Sequence, residues 1–232
     1  MAEPASAGQE PDTSESPTRP PAAGVRHVVE AEVGQLAQML ARSFDDDPVM
    51  AFWLPSPRRR GARMARFFRA LLGGLVLPAG EAYTTGDLSS AALWAPPEPS
   101  GGLAAFTNPS GGAHISWTDA YRLIRVMTPL GRRAFTESKA FAAVASHHPK
   151  EPHWYLMVLG TDPSRQGQGL GSAVLQPVLT RCDTEGLPAY LESSKEENLA
   201  FYARHRFAVT AEVTIPNGGP TLWCMRRSPR PA

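Results

Sequence analysis

The chain has 232 residues, 42% of them hydrophobic, and its 23 Lys and Arg against 22 Asp and Glu leave a net charge of +1. That length supports one sizeable core, and the charge balance excludes a broad electrostatic pull toward nucleic acid or an anionic membrane. No run of about 18 apolar residues suggests a membrane span, and the N-terminus lacks the basic-then-apolar pattern of a signal peptide. Two cysteines, Cys182 and Cys224, make no disulfide framework and read as small buried side chains in a reducing cytoplasm. His147, His148 and His153 have no partners at ligand spacing, so no metal is expected.

Residues 1–24 are rich in Pro, Ser, Ala, Glu and Thr without apolar periodicity, which predicts a disordered tail ahead of a single domain over 25–232. A strand is expected over 25–29. A helix follows over 30–44, with Val33, Leu36, Met39, Leu40 and Phe44 at helical spacing. Asp45, Asp46, Asp47 and Pro48 end it. A second helix is expected over 57–75; Met64, Phe67, Phe68, Leu71 and Leu72 form its apolar face. Its arginines (Arg58, Arg59, Arg60, Arg63, Arg66, Arg69) read as a solvated face rather than a nucleic-acid patch. Strands over 82–84 and 90–94 make a hairpin, stopped by Pro96 and Pro97. The stretch 100–112 reads as a flexible Gly/Pro/Ser linker. Ser116 caps the first of two helices, over 117–129 and 131–146. Closing strands are expected over 207–213 and 221–226.

The informative stretch runs from Trp154 to Phe207. An apolar run over 155–159 fits a buried strand, and Asp162-Pro163 breaks it. A glycine-rich loop from Arg165 to Ser172 then enters an apolar-periodic helix. Strand, glycine loop and helix together offer free backbone N–H groups and a positive dipole end to a phosphate. A nucleotide P-loop needs Gly-Lys-Ser/Thr, and this loop has no lysine. A dinucleotide fingerprint nearly fits, with Glu192 at a suitable spacing, but Ser172 replaces the third glycine and too little chain follows for a doubly wound sheet. The pyrophosphate of coenzyme A remains.

Gln166-x-x-Gly169-x-Gly171, followed at the right distance by Asn198 and Tyr202, resembles the GNAT-type N-acetyltransferases. The segments HHPKEPHWYL, GQGLGSAVLQP, LPAYLESS, NLAFYARHRF and TLWCMRR look nearest to the members that acetylate puromycin. FDDDP and ALWAPPE also look family-like. The resemblance implies an α/β fold with a mixed, mostly antiparallel sheet flanked by helices. It also implies acetyl-CoA as co-substrate and a small primary amine, puromycin-like, as acceptor; a polyamine or a peptide N-terminus is the alternative amine.

By the same resemblance, Leu159 and Thr161, flanking Gly160, would pair with the pantetheine arm. Arg165, Gln166, Gly167, Gln168, Gly169, Leu170, Gly171 and Ser172 would hold the diphosphate, and Asn198 the pantetheine. Tyr202 would protonate the departing sulfur; a phenol suits that task, with an ordinary pKa of about 10. Gly160 suggests a bulge or a close backbone approach. Glu192, a carboxylate in an apolar strand, would take the amine proton through water or serve as a structural partner. Asp46, Asp47 and Trp154 would border the acceptor. No serine or cysteine has an evident adjacent base, so direct attack in a ternary complex is expected. Arg206 stands where the family usually has a glycine, which predicts a reshaped turn before the next strand. Monomer or homodimer, no nucleic acid and no membrane complete the expectation. A non-catalytic acyl-CoA-binding module and a nicotinamide oxidoreductase are the readings from other classes.

Overall fold

A computed structural model describes residues 24–107, 116–131, 144 and 146–230. The tail over 1–23 and nearly all of the helix expected over 131–146 lie outside the described residues.

Among the described residues, seven strands form one sheet in the order β1-β2-β3-β4-β5-β7-β6. They are β1 (Val25–His27), β2 (Glu81–Thr85), β3 (Ser90–Ala95), β4 (Trp154–Thr161), β5 (Ala189–Ser193), β6 (Ala208–Thr214) and β7 (Thr221–Arg227). Only β4 and β5 run parallel; every other neighbouring pair is antiparallel. This is the mixed, mostly antiparallel sheet that the sequence predicts. Central β3 is buried along its whole length, and its small residues (Ser90, Ala91, Ala92, Ala95) let elements approach both faces.

One face carries α1 (Val33–Ser43) and α3 (Pro57–Leu71), whose Leu36, Leu40, Met64, Phe68 and Leu71 pack with Val158 of β4. The helix expected over 30–44 starts as a 3-10 turn, Glu30–Glu32, and α3 passes into a π turn, Leu72–Val76, at Gly73 and Gly74. The other face carries α6 (Leu170–Glu185) and α7 (Leu199–Arg204). Val174, Leu175, Val178, Leu179 and Tyr202 pack there with Trp94, Trp154, Leu156 and Leu191.

Two short helices depart from expectation. Asp47 caps α2 (Pro48–Trp53), accepting from the Met50 amide at 2.8 Å, so the acidic run starts a helix as well as ending one. The stretch read as a flexible linker contains α4 (Gly101–Thr107), held by Leu103, which is 1% exposed. Ser116 caps α5 (Trp117–Met127) as expected, in a reciprocal pairing with Asp119.

β3 and β4 slip register between Leu93, opposite Val158, and Trp94, opposite Leu156, so Met157 is an extra residue. The bulge resets which way β4 faces. Trp154 and Leu156 point toward α6, whereas Met157 and Val158 both pack on the α1 and α3 side.

Candidate active site

The site begins where two parallel strands part. β4 and β5 pair only at Trp154 with Ala189, Tyr155 with Tyr190, and Leu156 with Leu191. Beyond Leu191, β5 keeps β7 as its neighbour, Glu192 opposite Cys224 and Ser193 opposite Trp223. β4 continues to Thr161 beside β3. A wedge opens between them. The Asp162 amide donates to the Ser89 carbonyl at 2.8 Å, and ladder alternation then turns the N–H and C=O of Leu159 and Thr161 toward the wedge. The Thr161 amide is held by Ser43 Oγ at 3.1 Å, and Gln166 Nε2 reaches the Thr161 carbonyl at 3.4 Å. Gly160 marks a close approach rather than the bulge: a Cβ there would sit 2.7 Å from Leu40 Cδ2 and 2.9 Å from Ser43 Oγ.

The glycine loop is built on Asp162, which accepts from the Ser164 amide at 3.1 Å and from Arg42 Nε at 3.0 Å. After the 3-10 turn Pro163–Arg165, Gln166 is extended. Gly167 (φ +75) and Gly169 (φ +79) take left-handed conformations that favour glycine. Among the described residues, the amides from Gln166 to Ser172 have no backbone acceptor. They cluster at the positive end of the 16-residue α6. Arg165 is steadied by Asp87 at 3.2 Å and by Gln168 Oε1 at 3.1 Å. Ser89 and Thr85 hydroxyls hold the Asp87 carboxyl down at about 2. Unpartnered amides, left-handed glycines and one cation form a donor set that fits a diphosphate.

Tyr202 lies on α7, 9% exposed, with its ring 5.2 Å from Phe201 and 6.0 Å from Phe207. Burial pushes its phenol well above the ordinary value, and the negative charge of Asp47 acts in the same direction. The hydroxyl is therefore a hydrogen-bond donor at neutral pH and a weaker acid than a free phenol, a departure from the match to a thiol expected from the sequence. Asn198 is exposed, one turn earlier, at the N-cap of α7. Asp47, 5% exposed, also accepts a hydrogen bond from the Ser194 hydroxyl, and burial raises its carboxyl. Asp47 and Ser194 thus meet past the end of β5, near enough for the Asp47 charge to act on Tyr202. Asp46 turns outward and pairs with Lys195 Nζ at 2.6 Å.

Glu192 is engaged on both oxygens. The Tyr155 hydroxyl donates to Oε2 at 2.7 Å, and His148 Nε2 lies 2.9 Å from Oε1. The His148 ring packs against Tyr155 at 4.6 Å and Tyr190 at 4.5 Å. Burial holds the Tyr155 phenol well above its usual range, with the Glu192 charge adding to it. The sequence reading missed His148 and Tyr155 as partners of Glu192. Tyr155 was within reach of reasoning, since it faces Tyr190 across the parallel register. Trp154 points to the opposite face of β4. It is 1% exposed under α6, its Nε1 donates to Glu185 at 3.2 Å, and the Arg181 guanidinium lies 4.5 Å over its ring. The structure does not bring it to Glu192.

Two expectations change. Arg206 adopts the left-handed conformation (φ +69), and the turn keeps its form: the Arg206 amide donates to Ala203 O at 2.9 Å and the Phe207 amide to Tyr202 O at 3.1 Å. A serine with an adjacent base also exists, Ser172 Oγ lying 2.9 Å from His205 Nε2 across the α6–α7 contact. Sequence separation hid that pair.

The sequence model of the acetyltransferase (GNAT) family matches residues 104–207. An uncharacterized N-acetyltransferase of Schizosaccharomyces pombe is 26% identical over 206 residues, which cover 83% of this chain and 78% of the relative. A crystal structure described as histone acetyltransferase HPA2 and related acetyltransferase, from Corynebacterium glutamicum, has a TM-score of 0.66 at 23% identity, covering 90% of this chain and 97% of that one. An N-acetyltransferase from Staphylococcus aureus has a TM-score of 0.52 at 10% identity, covering 88% and 100%. The two structures speak to the fold.

Proposed function

We propose that this chain, a GNAT-type N-acetyltransferase, moves the acetyl group of acetyl-CoA to a primary amine of a small molecule by direct attack in a ternary complex. The observation that carries this reading is the wedge between β4 and β5, with loop amides that lack a backbone acceptor beyond the end of β4. The amides from Gly167 to Ser172, with Arg165, take the diphosphate. The backbone edge of Leu159 guides the pantetheine through the wedge, beside Thr161, whose own N–H and C=O are held by Ser43 and Gln166, and Asn198 steadies it. Tyr202 gives its proton to the departing thiolate. Glu192 belongs to the path that removes the proton from the amine.

Direct attack is supported by the state of the other nucleophiles. Cys182 and Cys224 are fully buried, and burial pushes the Cys182 thiol up to about 12. Ser172, which has an imidazole beside it, sits among the diphosphate donors. Asp46, paired with Lys195, and the buried Asp47 border the acceptor side near the end of β5. Resemblance to the puromycin-acetylating members from His147 onward favours a puromycin-like aminonucleoside, handled in the cytoplasm.

The test is release of free CoA thiol from acetyl-CoA with puromycin, spermidine or a short peptide bearing a free N-terminus. Release with puromycin is the expected result. Release with spermidine or the peptide but not puromycin would reassign the acceptor. Tight acetyl-CoA binding without release for any of them would favour a binding module and overturn the reading.

A further inference from the structure

We infer that His148 accepts the proton lost by the acceptor nitrogen, with Glu192 as the anion that orients and balances its ring; this rests on the acetyl-transfer reading above. Glu192 is poorly placed to be the base itself. Both of its oxygens already accept, from Tyr155 at 2.7 Å and from His148 at 2.9 Å. An ionised carboxylate can only accept, so the bond to Oε1 assigns the proton of a neutral His148 ring to Nε2. Nδ1 is then the basic nitrogen, and among the described residues it has no hydrogen-bond partner. The ring cannot drift far: Tyr155, Tyr190 and His153 surround it, with ring centroids at 4.6, 4.5 and 5.6 Å. Among the described residues, these and Glu192 are the titratable groups that face it.

The position matches the task. Glu192 is the first residue of β5 beyond its last pair with β4, and Tyr155 belongs to one of those last pairs. The cluster therefore stands at the apex of the wedge, on the opposite sheet face from Tyr202. The amine nitrogen bonds to the thioester carbon, and its surplus proton passes to His148 Nδ1. The carbon–sulfur bond breaks, its electron pair stays on sulfur, and that sulfur takes the Tyr202 proton. Imidazolium and phenolate then return to their resting states by exchange with solvent. While charged, the ring is paired with Glu192, as a carboxylate-oriented imidazole requires.

His148→Gln separates the two roles, because its amide N–H can still donate to Glu192 but offers no basic nitrogen. General-base catalysis is worth about 10²–10⁴-fold. His148→Gln and His148→Ala are each expected to lower kcat about 100-fold, with acetyl-CoA affinity by calorimetry close to the wild type. Added imidazole is expected to restore part of the His148→Ala rate. Near-wild-type turnover of His148→Gln, or a slow His148→Ala enzyme that ignores imidazole, would overturn the role of His148 while the acetyl-transfer reading stands. Absence of thiol release by the wild-type chain with every amine tried would instead sink both. Should His148→Ala not fold, the rate of His148→Gln decides.

Discussion

Ser43 Oγ accepts the amide hydrogen of Thr161 at 3.1 Å, and this bond ties the last turn of α1 to the end of β4. The same approach leaves Gly160 no room for a side chain: an added Cβ would meet Leu40 Cδ2 at 2.7 Å, and Leu40 is itself fully buried. Gly160→Ala is therefore expected to destabilise the fold by about 1–3 kcal/mol through overpacking. Melting should fall by about 2–4 °C for each kcal/mol lost. Because the displaced edge includes Leu159 and Thr161, acetyl-CoA binding should weaken as well. A variant that melts and binds like the wild type would show that α1 does not press on β4.

Tyr202 is a test of chemistry without a test of packing. Its ring is buried among Phe201 and Phe207, and phenylalanine keeps that shape. Tyr202→Phe removes only a hydroxyl that burial and Asp47 hold protonated. Loss of a positioned general acid costs about 10²–10⁴-fold, so kcat should drop about 100-fold while the KM for acetyl-CoA moves little. Steady-state kinetics decide it. An unchanged kcat would assign Tyr202 to the core alone.

Arg206 holds a left-handed conformation at the end of α7, where an L side chain meets its own carbonyl. That conformation costs a non-glycine residue about 1–2 kcal/mol. Glycine escapes this cost but loses about 0.5–1 kcal/mol in backbone entropy. Arg206→Gly is expected to stabilise the chain by about 0.5–1 kcal/mol, seen as a higher urea midpoint at constant slope. A lower midpoint would mean that the arginine side chain makes a compensating contact.

The elements that sequence reasoning placed well are those with long periodic patterns. The apolar spacing of α1 and α3, the strand–loop–helix unit at Gly167 to Gly171 and the facing of Tyr190 with Glu192 all follow from local rules. What escaped it was short or non-local. Asp47-Pro48 carries a helix-start signature, a capping side chain and a proline at the first position, yet it follows the Phe44 cap of α1 so closely that the acidic run reads as a helix end. α4 is only 7 residues long and gains its order from Leu103 in the core rather than from its own propensity. His148 meets Glu192 across 44 positions of sequence, and Ser172 meets His205 across 33. No periodicity within either segment announces such a pair.

Asp87 offers a prediction in which pH supplies the control. The Ser89 and Thr85 hydroxyls, and Arg165 more weakly, hold its carboxyl at about 2 in the folded chain, against about 3.9 for an unperturbed aspartate. A depressed carboxyl adds stability that is fully present above the unfolded value and is lost as pH falls through the folded one. The side chain is 36% exposed, and with solvent screening the contribution is about 1 kcal/mol. Asp87→Asn keeps an acceptor for Ser89 and loses only the charge. The variant should therefore be less stable than the wild type by about 1 kcal/mol from about pH 7 down to about pH 5. The difference should shrink as pH falls further toward about 2. Urea titrations of both chains across that range measure it. A gap that stays constant down to the acid limit would place the effect in packing, and the charge of Asp87 would then have no part in holding the β2–β3 turn against the glycine loop.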